Sequence, residues 1–318
     1  MKQKKIPVTI LTGYLGSGKT TLVNRILAEQ HGQKIAVIVN EIGSIGIDNE
    51  LIVHADEEVV TLTNGCLCCT VREDLLVVLK QLVKKQDVEF DSLLIETTGL
   101  ANPGPIIQTF FLDPLIQQSF EINGVVTVVD AFHIEQHFQK GIEAKEQLAF
   151  ADTILVNKVD IVTTDYIHKI TSRIRSMNPT ATIVHTANCE VDIHSLLHIS
   201  TFQMKENLHI HHHHHNHLEE IVSFVLREER PLDFAKVNEW MAAVVSELGE
   251  YLYRYKGILN VYQVEKRVVF QGVHTLFAAT YDRKWRNDES RLSEIVIIGK
   301  GLNKEWFEDH FRECVIEK

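Results

Sequence analysis

Residues 13–20 read GYLGSGKT, preceded by the apolar run PVTILT (7–12) and followed by the helix-forming TTLVNRILAEQ (20–30). The octet G-x-x-x-x-G-K-T between a strand and a helix is the pattern of a phosphate-binding loop. Glycines at 13, 16 and 18 let the backbone wrap closely around a polyphosphate and turn successive N–H groups inward. Lys19 is then the group that reaches the β- and γ-phosphates, and Thr20 the ligand of the Mg²⁺ that bridges them. Ser17 and Thr21 complete the expected nucleotide cradle, and the dipole of the following helix adds positive potential at the same point. The alternative, a glycine-rich βα turn without a ligand, is disfavoured because a strand and a helix flank the octet in the right order. The chain is expected to bind a nucleoside triphosphate.

Outward from this loop, short apolar runs alternate with helical segments as far as about residue 186. The candidate strands are 7–12, 34–40, 58–63, 91–97, 124–130, 153–157 and 181–185, with helices expected at 20–30, 70–85 and 134–149. Several of the runs are nearly continuous Val, Ile and Leu, as strands buried on both faces of a parallel sheet must be. The expected fold is α/β, a doubly wound and mostly parallel sheet with ligands at the carboxyl ends of its strands. Beyond a polar, histidine-rich stretch at 203–218 the pattern changes. A strand at 220–228, an amphipathic helix at 231–248, three strand-like runs and a final helix predict a smaller α+β domain. The domain division is therefore 1–202, a linker at 203–218, and 219–318.

Composition narrows the partners. The 318-residue chain is 45% hydrophobic, 24% charged and carries a net charge of −11. An acidic surface argues against nucleic-acid binding, and no stretch approaches the ~18 apolar residues of a membrane span. The basic start MKQKK leads straight into the strand of the phosphate loop, so it does not read as a signal peptide. A cytoplasmic protein with its five cysteines reduced is expected.

Asn157–Lys158–Val159–Asp160 follows the strand TILV. An ionised carboxylate only accepts hydrogen bonds, so Asp160 suits the N1–H and 2-amino group of guanine, whereas adenine offers an acceptor at N1. The Lys158 stem can lie along the flat base and Asn157 can brace the loop, which favours GTP over ATP. The alternative is a polar turn.

Cys66, Cys68 and Cys69 stand in NGCLCC, too close together for an easy unstrained disulfide. Three thiolates on one loop suit Zn²⁺ or Cu⁺, with Co²⁺ compatible by geometry, and leave a fourth position open for metal in transfer. Buried, reduced cysteines are the other reading. Glu41 in N-E-x-G and Glu96 in IETTG each end an apolar strand with a carboxylate; either can orient Mg²⁺ waters or the attacking water, or be a solvated strand-end acid. The tract around His211, His213 and His215 is a compositional metal signal, with a solvated linker as its alternative. Cys189 and Cys314 stand alone and read as inert. Trp240 and Trp306 read as core, and Trp285 has no readable place.

The phosphate loop, C-x-C-C, E-x-x-G and NKxD, followed by a small C-terminal domain, resemble the CobW-type family of P-loop GTPases, related to the nickel-insertion GTPases. The stretches TLTNGCLCC, NPGPIIQTFF, YRYKG and FQGVHTL read much as in its YjiA-type branch, so the resemblance runs over nearly the whole chain. It implies a GTPase that hydrolyses GTP to GDP and acts as a metallochaperone for zinc or cobalt, delivering metal to a client metalloprotein. The histidine tract is not a family feature, and its likeness to those of nickel GTPases keeps Ni²⁺ in view. Where YjiA-type members carry acidic residues of an extra metal site, this chain has Val39 and Ser44. No arginine finger is evident, so slow intrinsic turnover is expected. A homodimer is compatible with these features. A metal-storage protein with a structural nucleotide is the alternative from a different class.

Overall fold

The computed structural model describes residues 5–29, 32–40, 59–62, 70–84, 90–199 and 221–316. The chain divides into two compact units, Met1–Ile174 with Ala181–Gln203, and Arg175–Thr180 with Met204–Lys318.

The first unit runs β1 (Ile6–Thr12), α1 (Lys19–Ala28), β2 (Ile35–Asn40), β3 (Val59–Leu62), α2 (Thr70–Lys84), β4 (Ser92–Glu96), α3 (Gly104–Leu112), α4 (Pro114–Ser119), β5 (Phe120–Asp130), α5 (Ile134–Lys140), α6 (Glu143–Phe150), β6 (Thr153–Asn157), α7 (Thr164–Met177), β7 (Thr182–His185) and α8 (Ile193–Leu197). The strands form one sheet in the order β3-β2-β4-β1-β5-β6-β7, and every pairing in it is parallel. The carboxyl ends of all these strands therefore share one edge. Helix α1 buries Leu22, Val23, Ile26 and Leu27 on Leu11, Val37, Leu94, Val126 and Val128 of the sheet. Each such aliphatic side chain contributes about 1.5–3 kcal/mol on burial.

Two expectations need correction here. The helix expected over 134–149 is two helices, because Gly141 takes an extended backbone (φ 179°) between them. A glycine at that point is a weak helix former, so the break costs little. Strand β5 starts at Phe120 rather than 124, since Phe120 is buried against Phe110 and its first residues pair with Ile6–Val8 across a register shift.

The second unit comprises β8 (Ile221–Glu228), α9 (Phe234–Leu248), β9 (Leu252–Leu259), β10 (Lys266–Val273), β11 (Leu276–Lys284), β12 (Ser293–Lys300) and α10 (Lys304–Arg312). Its sheet is antiparallel, in the order β11-β10-β9-β12-β8. One of the three strand-like runs, RVVFQGVHTLFAATYD (267–282), is not a single strand but the hairpin β10–β11. Its reversal falls at His274, whose φ of 49° bends the chain while Nδ1 bonds to Gly249 O at 3.2 Å. Helix α9 is capped by Asp233, and Val237, Trp240, Met241 and Val244 pack with Phe307 and Phe311 of α10 over Tyr255, Phe270 and Ile295. Trp240 lies in this core, Trp306 packs against it, and the half-buried Trp285 donates its backbone N–H to Glu265 O. No described helix is long and apolar enough to cross a membrane.

Candidate functional site

The carboxyl edge of the parallel sheet gathers the phosphate loop, Glu96 and the NKVD turn. β1 is a central strand, so the loop that leaves it lies over the middle of that edge. Gly13 (φ 144°) and Gly18 (φ 113°) are in the left-handed half of backbone space. A Cβ at Gly13 would run into Val128 O, and one at Gly18 into the Asn157 amide, so only glycine fits either place. Helix α1 starts at Gly18 with no side-chain cap and no acid in its first turn. The partial positive charge of the helix N-terminus therefore lies at the same end as the glycine loop, with no acidic side chain in the first turn to offset it.

Lys19 is buried, and its Nζ donates to Gly13 O at 2.9 Å and to Tyr14 O at 3.5 Å. The ammonium is held at the mouth of the loop. Ser17 is fully buried, with an Oγ that makes no hydrogen bond among the described residues. Thr21 is exposed on the first turn of α1. Thr20 Oγ1 donates to Glu96 Oε1 at 3.4 Å, across 76 positions of sequence. The two meet because β4 lies beside β1, with Leu11 opposite Glu96. A hydroxyl and a buried carboxylate side by side at the loop's rim form an all-oxygen donor pair that fits Mg²⁺, which prefers such ligands.

After Glu96 the chain is tied down. Thr97 Oγ1 donates to Thr12 Oγ1 at 2.9 Å, and Gln147 Nε2 donates to Gly99 O at 3.2 Å and Ala101 O at 3.1 Å. Leu15 of the phosphate loop packs so tightly on Gly99 that a Cβ there would meet Leu15's backbone nitrogen at 2.8 Å.

On the other side of β1, Asn157 ends β6 and is buried. Its Nδ2 donates to Ser17 O at 3.0 Å, and its Oδ1 accepts the N–H of Cys189 at 3.0 Å. Lys158 follows in the left-handed conformation (φ 63°). Its Nζ donates to Gly16 O at 2.8 Å and pairs with Asp130 Oδ2 at 2.7 Å. Asp160 lies in a single 3₁₀ turn, Val159–Ile161, exposed to solvent. Among the described residues its carboxylate makes no hydrogen bond or ion pair.

Asp130 and His137 belong to this site without being singled out by the sequence, and Cys189, which reads there as inert, joins them. Asp130 is almost wholly buried; burial pushes its carboxyl up, but hydrogen bonds from Lys158 and His133 outweigh this and hold it below the ordinary carboxylate range. His137, one turn after His133, packs its ring at a 32° tilt against Tyr14 with centroids 4.3 Å apart, and burial lowers its pKa. Cys189 is not remote from the chemistry: Sγ lies 3.3 Å from Gly18 O, and burial pushes its thiol up to about 11. Asp130 ends a strand with an acid, as Glu96 does, and that signal was present in GVVTVVD. Cys189 carried none, since its neighbourhood forms only when β7 returns beside β6.

Glu41, Cys66, Cys68, Cys69, His211, His213 and His215 lie outside the described residues, as does Ser44. The strand that leads into the cysteines is described. β3 runs parallel to β2, as expected, but among the described residues it is an edge strand, separated from β1 by β2 and β4. At ~4.8 Å per strand, its end stands roughly 14 Å along the edge from the phosphate loop. Val39 is buried in β2, paired beside Glu96.

A family model described as "CobW/HypB/UreG, nucleotide-binding domain" matches residues 7–185, and one described as "Cobalamin synthesis protein cobW C-terminal domain" matches 221–315. The zinc chaperone YjiA of Escherichia coli is 39% identical over 309 residues, covering 94% of this chain and 96% of that protein. The zinc chaperone CobW of Pseudomonas aeruginosa is 34% identical, with 94% and 89% covered. The zinc-regulated GTPase metalloprotein activator 1 of Schizosaccharomyces pombe is 36% identical, with 94% and 83% covered. The crystal structure of Zn(II)-bound YjiA GTPase from E. coli superposes with a TM-score of 0.79 at 32% identity, covering 99% of this chain and 100% of that one.

Proposed function

This chain belongs to the CobW family of P-loop GTPases and is a GTP hydrolase, and from that premise we propose that it is a zinc metallochaperone whose nucleotide state gates a thiolate metal site. The observation that carries the reading is the shared carboxyl edge. The phosphate loop, the Thr20–Glu96 pair and the NKVD turn stand on it, and so does the end of β3, the strand that runs toward Cys66, Cys68 and Cys69.

In this reading Gly13, Gly16, Ser17, Gly18, Lys19 and Thr21 bind the phosphates, and Asn157, Lys158 and Asp160 hold and select guanine. Thr20, with Glu96 beside it, would hold Mg²⁺, which supplies charge neutralisation between the β- and γ-phosphates when bound. Lys19 meets the negative charge that develops as water attacks the γ-phosphate in line. Glu41 or Glu96 orients that water.

Zn²⁺ is cargo: it exchanges at the three thiolates, with Co²⁺ or Ni²⁺ as chemically allowed substitutes, and passes to a client metalloprotein. Residues 1–202 form the GTPase domain and 219–318 the domain that meets the client. His211, His213 and His215 in the 203–218 linker act as a low-affinity reservoir. The setting is cytoplasmic, where the thiols stay reduced, and a homodimer is the assembly that goes with it.

Because two strands, β2 and β4, stand between β3 and β1, coupling has to pass through the loops after β2 and β4. Loops at such an edge order around a γ-phosphate and relax after hydrolysis. Linkage then makes the effect reciprocal, with couplings of about 1–3 kcal/mol. Anaerobic Zn²⁺ titration with a non-hydrolysable GTP analogue and with GDP should give affinities that differ roughly 5–150-fold. Replacing Cys66, Cys68 and Cys69 by serine should abolish the difference and leave GTP binding in place. Equal Zn²⁺ affinities in the two states would leave a metal-buffering protein and end the chaperone reading.

A further inference from the structure

We infer that Asp130 is a positioning residue for the guanine nucleotide: it holds Lys158 against the phosphate loop, and so keeps the base-side turn and the phosphate-side loop in one fixed relation. The inference rests on the assignment of the guanine site to the turn that carries Asp160.

Asp130 is the last residue of β5, the strand between β1 and β6 in the sheet, and stands opposite Asn157 in register. Its carboxylate is 2% exposed and accepts from four donors. The backbone N–H groups of Phe132 and His133 reach Oδ1 at 2.9 and 3.2 Å. His133 Nδ1 lies 2.9 Å from Oδ2, and Lys158 Nζ lies 2.7 Å from the same oxygen. The first two close the turn into α5. The last is the link that matters for nucleotide, because the same ammonium also donates to Gly16 O at 2.8 Å. A continuous chain thus runs from the phosphate loop through Lys158 to the buried end of β5.

Lysine has a long stem that loses much rotamer freedom when fixed, and Lys158 is also held at positive φ. Exposed ion pairs rarely offset such costs. This pair differs because one partner is buried and fully hydrogen-bonded, so breaking it would strand a charge. Asp160 follows Lys158 by two residues in one short 3₁₀ turn, so anchoring Lys158 orders the turn before the base arrives. Through His133 the same carboxylate also steadies the start of α5, whose His137 ring packs at a tilt against Tyr14 of the phosphate loop. Asp130 is buried beneath Lys158, so its influence on the nucleotide is expected to pass through Lys158. Its effect should fall on ground-state binding, and chemistry at the γ-phosphate should be untouched.

The test uses the full-length protein and the substitution Asp130→Asn, which keeps an oxygen for the Phe132 and His133 N–H groups and removes the charge that pairs with Lys158. Titration with the fluorescent analogue N-methylanthraniloyl-GDP should show roughly tenfold weaker binding. The KM for GTP should rise by a similar factor with kcat kept. In a double-mutant cycle, Asp130→Asn should add nothing to Lys158→Ala, since both remove the same link. Binding within twofold of wild type, a fall in kcat at unchanged KM, or full additivity with Lys158→Ala would each overturn the inference. Should Asp130→Asn lose its folded circular-dichroism spectrum, Asp130→Ser, which keeps a hydroxyl oxygen for the Phe132 N–H and removes the charge facing Lys158, carries the same KM-against-kcat test, and a KM within twofold of wild type decides against the inference. Asp160→Asn separates the two levels of the argument. If base preference does not move from guanine toward xanthine, the guanine site itself is misassigned. If it moves while Asp130→Asn binds as wild type, only the role of Asp130 falls.

Discussion

Asn157 Nδ2 donates to the carbonyl oxygen of Ser17 at 3.0 Å, joining the end of β6 to the floor of the phosphate loop across 140 positions of sequence. The same side chain accepts the N–H of Cys189, so one buried amide fastens three loops. Removing it in Asn157→Ala strands a carbonyl and an N–H in a site closed to water. A loss of about 1–3 kcal/mol is expected, together with weaker GDP binding. Chemical denaturation with and without GDP measures both, and unchanged stability would show that water replaces the amide.

Lys19→Ala should reduce GTP turnover by roughly 10²–10³-fold, because it deletes a charge placed where the transition state becomes negative. Phosphate release, measured after contaminating phosphatase is removed, is the assay. Comparable turnover by the two proteins would contradict the role of the loop.

Glu96→Gln addresses the carboxylate beside Thr20. If Glu96 orients Thr20 and the waters of Mg²⁺, the Mg²⁺ needed for half-maximal hydrolysis should rise roughly tenfold or more. A drop in kcat that persists at saturating Mg²⁺ would instead assign Glu96 to the attacking water. Hydrolysis unchanged in both respects would leave it a structural acid.

The C-terminal unit should show an acid-labile lock. Hydrogen bonds from Arg283 first, and from Arg267 as well, outweigh the upward effect of burial and hold the Glu289 carboxyl at about 2, against an ordinary value of 4.5. A depressed folded-state pKa means the ionised form is favoured by folding. Its contribution is therefore complete above pH 4.5 and is lost as pH falls toward 2. Glu289→Gln should be less stable than wild type near neutrality, and the gap should close between those pH values. A gap independent of pH would assign the effect to packing.

Much of the fold is legible in local chemistry. The runs 7–12, 34–40, 91–97 and 153–157 are apolar on both sides of the strand, which only a sheet covered on both faces tolerates. Each forms a strand within a residue or so of the expected limits. Where reading failed, a single backbone torsion made the difference. Gly141 divides a periodic stretch into two helices, and the left-handed His274 divides one apolar run into a hairpin. Neither torsion leaves a mark on hydrophobic periodicity.

By itself the sequence determined that a phosphate loop stands between a strand and a helix, because Gly13, Gly18, Lys19 and Thr20 need only one another and one turn of chain to do their work. It also determined the chemistry of Asp160, since a carboxylate accepts whatever surrounds it. What only the tertiary structure decided is which distant groups meet. The order β3-β2-β4-β1-β5-β6-β7 brings Glu96 to Thr20 and Asn157 to Ser17, sets Asp130 under Lys158, and leaves β3 at the rim. Strand order depends on how helices of opposite faces pack over the whole sheet. That is a sum of many long-range burials, and no short stretch of residues encodes it.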